Sequence, residues 1–446
     1  MKTVILSKYL NEVFETPDDK KGVWFGYYNY DTLNQTKNLI LCHKTDNDGV
    51  AVKKGMSVEI GYYDVQTGKW TKIGDSDSYN WPQGSMAQWL PLVEGHERVI
   101  YNLSKNNHIV SRIVDAVTGE ERFLDYPIYG IMPKGDKSLT LNFERSYWCR
   151  AYHYESVANN EYDMPIVPED GVFEVDLKTG DKKLILSLET IMGLDAEPDF
   201  PQLQHWLEHI MISPSGKRFV VLHRFSPVGD VYHYETRMII ANTDGTDVQV
   251  VSGWRDFSWS HFGWNGDEAF AMYSVQITRA QKALTSSMKQ PSLGNVSFVN
   301  TMKREILSFI KKNMPNSLRR YMKGNRSGYQ YYELKEGKFE LTDYWQGKNL
   351  DIDGHPSFTN DGRYMVTDSY PDAEKYRRLL VFDKVTHKSV IIARLYAGLY
   401  ETPAKCDLHP KLCKDNNILV VDTAYPGKHK MIVFKLNWEE IKKELS

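Results

Sequence analysis

Along most of the chain apolar and polar residues alternate in short runs, each closed by a cluster of Gly, Asp, Asn or Thr. That alternation predicts short strands joined by tight turns. Two kinds of turn recur. The first follows a strand ending in Asp or Leu, as in YYDVQTGKWTKI at 62–73, IVDAVTGEERFL at 113–124 and FEVDLKTGDKKLIL at 173–186. It returns in IIANTDGTDVQVV at 239–251, YYELKEGKFELT at 331–342 and LVFDKVTHKSVII at 380–392. The second joins two apolar strands, in IMPKGDKSLTLNF, IMISPSGKRFVVLH, FGWNGDEAFAMY, PSFTNDGRYMVTD and PKLCKDNNILVVD. Each unit thus holds two hairpins, with Gly, Asn and Asp supplying the positive φ that tight hairpin turns require. Four-stranded units in tandem indicate a β-propeller. The reading is an all-β chain, one seven-bladed β-propeller over residues 1–446, its first blade between Val23 and Ile73 and its last between Cys406 and Leu436. A sandwich or a pair of barrels would not alternate two turn types over almost the whole length.

One stretch breaks the pattern, a basic, partly helical insertion within the propeller at 277–327. Between Arg279 and Arg326 stand eleven Lys/Arg against one acid, Glu305, so this window carries +10 and the rest of the chain −13 against a total of −3. In NTMKREILSFIKKNM the residues Met302, Ile306, Phe309 and Ile310 share one helical face, and Pro315 stops the helix. Such a segment either lies on an anionic membrane surface or docks its apolar face on the propeller as a lid.

The remaining composition narrows the class. With 41% hydrophobic and 13% aromatic residues the chain can bury a large core, and its near-balanced charge removes the footprint of a nucleic-acid binder. The apolar run at Thr3–Leu6 is too short for a signal peptide core, and no stretch is long and apolar enough to span a membrane. Four scattered cysteines suit a reducing compartment. The expected location is cytoplasmic, peripheral at the inner membrane if the insertion binds lipid.

In a propeller the innermost strands converge on a central channel, so polar residues at the blade heads form one ring although far apart in sequence. That ring comprises Trp81, Gln83, Gln88, Trp89, Arg145, His205, His209, His223, Arg224, His261, His355, Cys406, Asp407 and His409. Cys406 and His409, with His261 and His355 from preceding blades, make a Cys/His set suited to a divalent metal, Zn²⁺ in the first place. The alternative is a belt of histidines bonded to backbone carbonyls. His209 and Arg224 flank the SPSG turn of one hairpin, and with Arg145 would offer a proton carrier and forks for a carboxylate. Asp353 and Asp368 head the same blades. Nearby aromatics suit sugar faces or blade packing.

Together HWLEHIMISPSGKRFVVLHR, SHFGW, DGHPSFTNDGRYMVTDSYPD, RRLLVFD and CDLHP resemble the propeller proteins grouped with oligogalacturonate lyases and, more loosely, the seven-bladed ulvan-type polysaccharide lyases. The similarity spans roughly Trp81 to Leu436. It implies cleavage of a uronic-acid linkage by β-elimination. In that chemistry a base removes the proton α to the carboxylate, the carboxylate is neutralised, and an acid protonates the leaving oxygen. The resemblance assigns His209 as base, Arg224 and Arg145 as carboxylate neutralisers and Tyr370 as acid. Substrate contacts are expected from Gln83, Gln88, Trp89, His205, His223, Asp353 and Asp368, and metal ligands from His261, His355, Cys406 and His409. The closely spaced Gln and His metal cluster of oligogalacturonate lyases is absent, which points away from pectin fragments.

The expected function is a polysaccharide or oligosaccharide lyase acting on an anionic, uronate-containing glycan, with no nucleic-acid partner. A glycoside hydrolase or glycosyltransferase acting on an anionic bacterial surface glycan is the alternative, because Asp353, Asp368, Asp372 and Asp407 could supply paired carboxylates. A non-catalytic propeller scaffold held at a membrane by residues 279–326 is the third reading.

Overall fold

A computed structural model describes residues 4–18, 20–150, 154–157, 166, 168–231, 234–278 and 326–446. Their strands form seven sheets around one axis, each of blades one to five beginning with its innermost strand, and the innermost strands of blades six and seven being Ser357–Phe358 and Lys411–Leu412. Blade one runs from Gly22–Trp24 to Trp70–Ser76, blade two from Gln88–Trp89 to Glu121–Leu124, and blade three from Gly130–Ile131 to Lys182–Ser187. Blade four runs from Leu203–Ile212 to Gln249–Val250 and blade five from Phe257–Trp264 to Lys338–Trp345.

Closure is made by the N-terminal segment. Leu10–Glu15 pairs antiparallel with Lys430–Leu436 as the outer strand of blade seven, and Ile5–Leu6 adds a fifth strand to blade six against Lys388–Tyr396. The last blade therefore does not end at Leu436, as the turn pattern predicts; its outer strand precedes blade one in the chain. The middle strands are buried on both faces because neighbouring blades cover them. Phe219, Val220, Val221 and Leu222 in Arg218–Pro227, and Leu379 to Phe382 in Tyr376–Asp383, are continuous apolar runs for that reason.

Both turn types have a visible cause. In the first, an Asp closing the strand accepts backbone N–H groups two and three residues on: Asp64 from Gln66 and Thr67, Asp115 from Val117 and Thr118, Asp176 from Lys178 and Thr179. The following Gly68, Gly119 and Gly180 then take positive φ. In the second, the N–H of Ser213, Asn265, Thr359 and Cys413 bonds back across its hairpin to the carbonyls of Arg218, Ala269, Tyr364 and Ile418. Four residues before each of these stands a histidine: His209, His261, His355 and His409. Four consecutive blades thus carry the same residue at the same place.

Two short helices matter for the site. Helix α1, Phe143–Arg150, packs on the innermost strand of blade four, and α2, Leu188–Gly193, precedes that blade. The basic segment leaves blade five between strands Ala269–Gln276 and Ser327–Lys335; its predicted helix and membrane or lid contacts fall on residues 279–325, outside the described residues. Among the described residues no helix is long and apolar enough to cross a membrane.

Candidate functional site

The four blade-head histidines open onto a cleft of about 1070 Å³ whose lining includes Tyr27, Gln83, Arg150, Arg224, Tyr370 and Lys405. Backbone geometry aims two of the histidines. The innermost strands of blades four and five each carry a bulge, two residues opposing one, at Glu208–Met211 and Trp259–Phe262. Such a bulge re-aims the side chain it displaces, and here the displaced segments contain His209, at φ 56°, and His261. His355 and His409 stand just before the short inner strands Ser357–Phe358 and Lys411–Leu412. Gly354 is required beside His355, because a Cβ there would lie 1.9 Å from the Asp368 carbonyl oxygen.

One wall can hold a metal. His355, Asp407 and His409, all buried, bring one ligand atom each within 4.8 Å of one another. His355 Nε2 and both ring nitrogens of His409 have no hydrogen-bond partner, although buried polar atoms are normally paired. Each histidine that faces this wall is backed by a carboxylate. His355 Nδ1 lies 2.9 Å from Asp368 Oδ1, His261 Nδ1 3.1 Å from Asp353 Oδ1, and His409 Nδ1 3.9 Å from Asp422 Oδ2. Carboxylates behind ligating imidazoles orient them toward a cation. The His261 and His355 ring centres are 4.0 Å apart and those of His355 and His409 4.4 Å.

Protonation states suit the same role. Burial, reinforced by the neighbouring imidazole charges, pushes His355 and His409 well below the ordinary histidine value, so both are neutral donors. Burial alone would raise Asp407, but Arg377, whose Nη2 donates to Oδ1 at 3.0 Å, and Lys405, 3.8 Å from Oδ2, hold it well below the usual carboxylate range. Two neutral imidazoles and an ionised carboxylate are the forms that bind a divalent ion. The residues fit the group.

The opposite wall is cationic and basic. His209 Nδ1 lies 3.2 Å from Gln83 Nε2, and the ring stacks on Tyr27 at 5.3 Å between centres. On its other edge Nε2 lies 3.5 Å from Glu208 Oε2, the oxygen that accepts from Arg224 Nη1 at 2.6 Å and Arg150 Nη1 at 2.5 Å. Tyr27 also meets His409, at 5.2 Å, so its ring lies between the two walls.

No protein-family model and no curated protein matches the chain. Among solved structures, an oligogalacturonate lyase in complex with manganese matches with a TM-score of 0.57 over 98% of both chains, at 15% identity. The oligogalacturonate lyase of Vibrio parahaemolyticus matches with a TM-score of 0.54 over 97% of this chain and 98% of its own, at 14% identity. The chain has the oligogalacturonate lyase fold.

Within that fold the fifteen residues expected to act in catalysis, substrate binding or metal binding divide in two. His209, Arg224, Tyr370, Gln83, Asp353, His261, His355 and His409 line the cleft. Seven others do not. Cys406 leaves the metal set because its side chain packs with Leu399 and Ala424, while Asp407 and His409 line the cleft. With it goes the thiolate that favoured Zn²⁺; a divalent ion on nitrogen and oxygen donors remains. Asp368 is fully buried behind His355, accepting from its backbone N–H and from that of Leu408, and burial pushes its carboxyl up to about 6.

Strand parity removes His205 and His223. They stand on the face of blade four opposite Glu208 and Arg224, where Arg237 Nε donates to His223 Nδ1 at 2.8 Å. His223 in turn donates to His205 Nδ1 at 2.9 Å, and His205 Nε2 donates to the Phe200 carbonyl at 2.8 Å. Arg145 is buried in an ion pair with Asp170, and Arg150, five residues on in α1, takes the place on the cleft expected of it. Gln88 bonds the carbonyls of Met86 and Tyr129, and Trp89 donates to the Thr32 carbonyl, so both tie blades together. Sequence reasoning missed Tyr27, Arg150, Glu208 and Lys405. Only Lys405 carried a local signal, two residues before Asp407.

Proposed function

We propose that the cleft cleaves an anionic, uronate-containing oligosaccharide by β-elimination. The observation that carries this reading is the juxtaposition of a basic histidine flanked by two arginines with a buried, metal-ready His355–Asp407–His409 cluster, separated by the ring of Tyr27. Elimination from a uronate needs charge neutralisation of the carboxylate and a base near the adjacent carbon. A divalent ion bound by His355, Asp407 and His409, with His261 alongside, supplies positive charge for that carboxylate.

His209 takes the proton α to the carboxylate at Nδ1, the nitrogen that accepts from the Gln83 amide until substrate displaces it. Arg150 and Arg224 add positive charge beside it, and guanidinium forks match carboxylates. Tyr370 is the acid: burial pushes its phenol well above the ordinary value, so it carries its proton at neutral pH. Lys405 stands over its ring at 4.7 Å from the centre and favours the phenolate formed when that proton leaves. The manganese in the similar lyase makes Mn²⁺ the first ion to try.

The test is mass spectrometry of the products formed from a panel of uronate oligosaccharides by Mn²⁺-loaded protein. Elimination gives an unsaturated, ultraviolet-absorbing product whose fragments sum to the substrate mass. Fragments carrying one added water would overturn the reading in favour of hydrolysis. Loss of turnover on chelation and recovery on adding Mn²⁺ are expected.

A further inference from the structure

The acid–base scheme above leaves Glu208 unused, yet the whole basic wall is built on it. The side chain is buried on the innermost strand of blade four. Its Oε1 accepts from the Trp206 indole at 2.7 Å, and its Oε2 accepts from both Arg150 and Arg224 while lying 3.5 Å from His209 Nε2. The two guanidiniums come from different elements, α1 and the second strand of blade four, so one carboxylate oxygen brings them to a common place.

The other edge of His209 fixes which nitrogen bears the proton. Asn80 donates to Gln83 Oε1 at 3.2 Å, so the Gln83 amide nitrogen points the other way and donates to the Tyr129 hydroxyl at 2.9 Å and to His209 Nδ1. With Nδ1 accepting, the ring proton of the neutral imidazole sits on Nε2, beside Glu208.

We propose that Glu208 is a positioning residue of the cleft, holding Arg150 and Arg224 as a carboxylate clamp and setting, through the Nε2 edge of His209, how readily that ring takes a proton. The inference rests on the reading of His209 as the base. A carboxylate within about 4 Å favours the imidazolium, and the two arginines oppose it. Among the described residues, the charged and titratable groups around His209 include Glu208 on its own strand, Arg224 on the neighbouring strand, Arg150 on α1 and Tyr27 from blade one, with Tyr129 hydrogen-bonded to its backbone N–H and His409 beyond Tyr27. Among the described residues Glu208 is the carboxylate beside Nε2, at 3.5 Å, so removing its charge removes an attraction that favours the imidazolium.

The experiment is an NMR titration of the histidine rings of the full chain without substrate, with the His209 signal assigned by its loss in His209→Gln, in wild type, Glu208→Gln, Glu208→Asp and Arg150→Met. In Glu208→Gln the His209 midpoint moves down by about 1 pH unit or more; in Glu208→Asp it stays nearer wild type; in Arg150→Met it moves up. With substrate, Glu208→Gln lowers kcat/KM at least about tenfold, raises KM, and shifts the acid limb of the pH profile with the NMR midpoint. If Glu208→Gln does not fold, the upward shift in Arg150→Met, whose side chain reaches the cleft, decides the matter.

A His209 midpoint unmoved by these substitutions, in a protein that does turn over uronate, would overturn the role of Glu208 alone. The shifts appearing in a protein that turns over no uronate would overturn the elimination reading and leave the electrostatic role of Glu208 standing.

Discussion

His409 shows how a single residue separates a ligand from a structural histidine. A structural imidazole in a protein interior has its nitrogens bonded, as His205 and His223 do; neither nitrogen of His409 is. Replacing it therefore removes no hydrogen bond. His409→Ala is expected to reduce bound Mn²⁺ from about one ion per chain to none by elemental analysis, while the metal-free protein unfolds within about 1 kcal/mol of wild type in urea. Strong destabilisation with the metal retained would return His409 to the belt of structural histidines. Packing decides the neighbouring residue. The C-x-x-H spacing of Cys406 and His409 suggests a ligand pair on paper, but Cys406 packs with Leu399 and Ala424, and Asp407 takes the place.

At the scale of elements, α1 carries two arginines with different duties. Arg145 lies inside, paired with Asp170 and donating to the His205 carbonyl, and so clips the helix to blade four. Arg145→Ala is expected to cost about 3–5 kcal/mol of stability, the usual price of breaking a buried pair, measured by urea unfolding. Arg150→Ala is expected to leave the unfolding midpoint nearly unchanged and to lower kcat/KM on a uronate substrate. The N-terminal strand offers a second case. Phe14 on Leu10–Glu15 packs with Val420, Met431 and Val433 of blade seven, to which the strand is paired. Phe14→Ala should cost about 3 kcal/mol, far more than truncating an ordinary tail, because that strand closes the ring; a thermal melt reads it.

For the molecule as a whole, buried histidines set the response to acid. Burial pushes His43 and His205 down to about 4 and His223 well below its ordinary value. Between about pH 6.5 and about pH 4 the unfolded chain binds protons at these rings that the folded protein refuses, so stability falls as pH falls, by up to about 1.4 kcal/mol per ring per pH unit. Asp368 and Asp422, which burial raises, oppose the trend but are outnumbered. The urea midpoint of the metal-free protein should therefore drop steadily over that window; a flat profile would mean that these rings are protonated in the fold.

The amino-acid sequence by itself determined the architecture, because turn chemistry is local: Asp with a following Gly, or Ser-Pro-Ser-Gly and its relatives, specify a hairpin wherever they occur, and their alternation sets the blade count. It also determined that His209, His261, His355 and His409 share one ring, since each stands four residues before its turn. Which side chains actually meet was decided by tertiary structure. Strand parity sent His205 and His223 away from the cleft, two bulges re-aimed His209 and His261, and packing against Leu399 and Ala424 turned Cys406 away from the place that Asp407 takes. The contacts of Glu208 with Arg150 and of Tyr27 with His209 join residues 58 and 182 positions apart on separate elements, and the closing strand of the last blade comes from the first residues of the chain. Those pairings exist only once the blades have curved around a common axis, because it is the closing of the ring, and no local preference, that carries their backbones within reach.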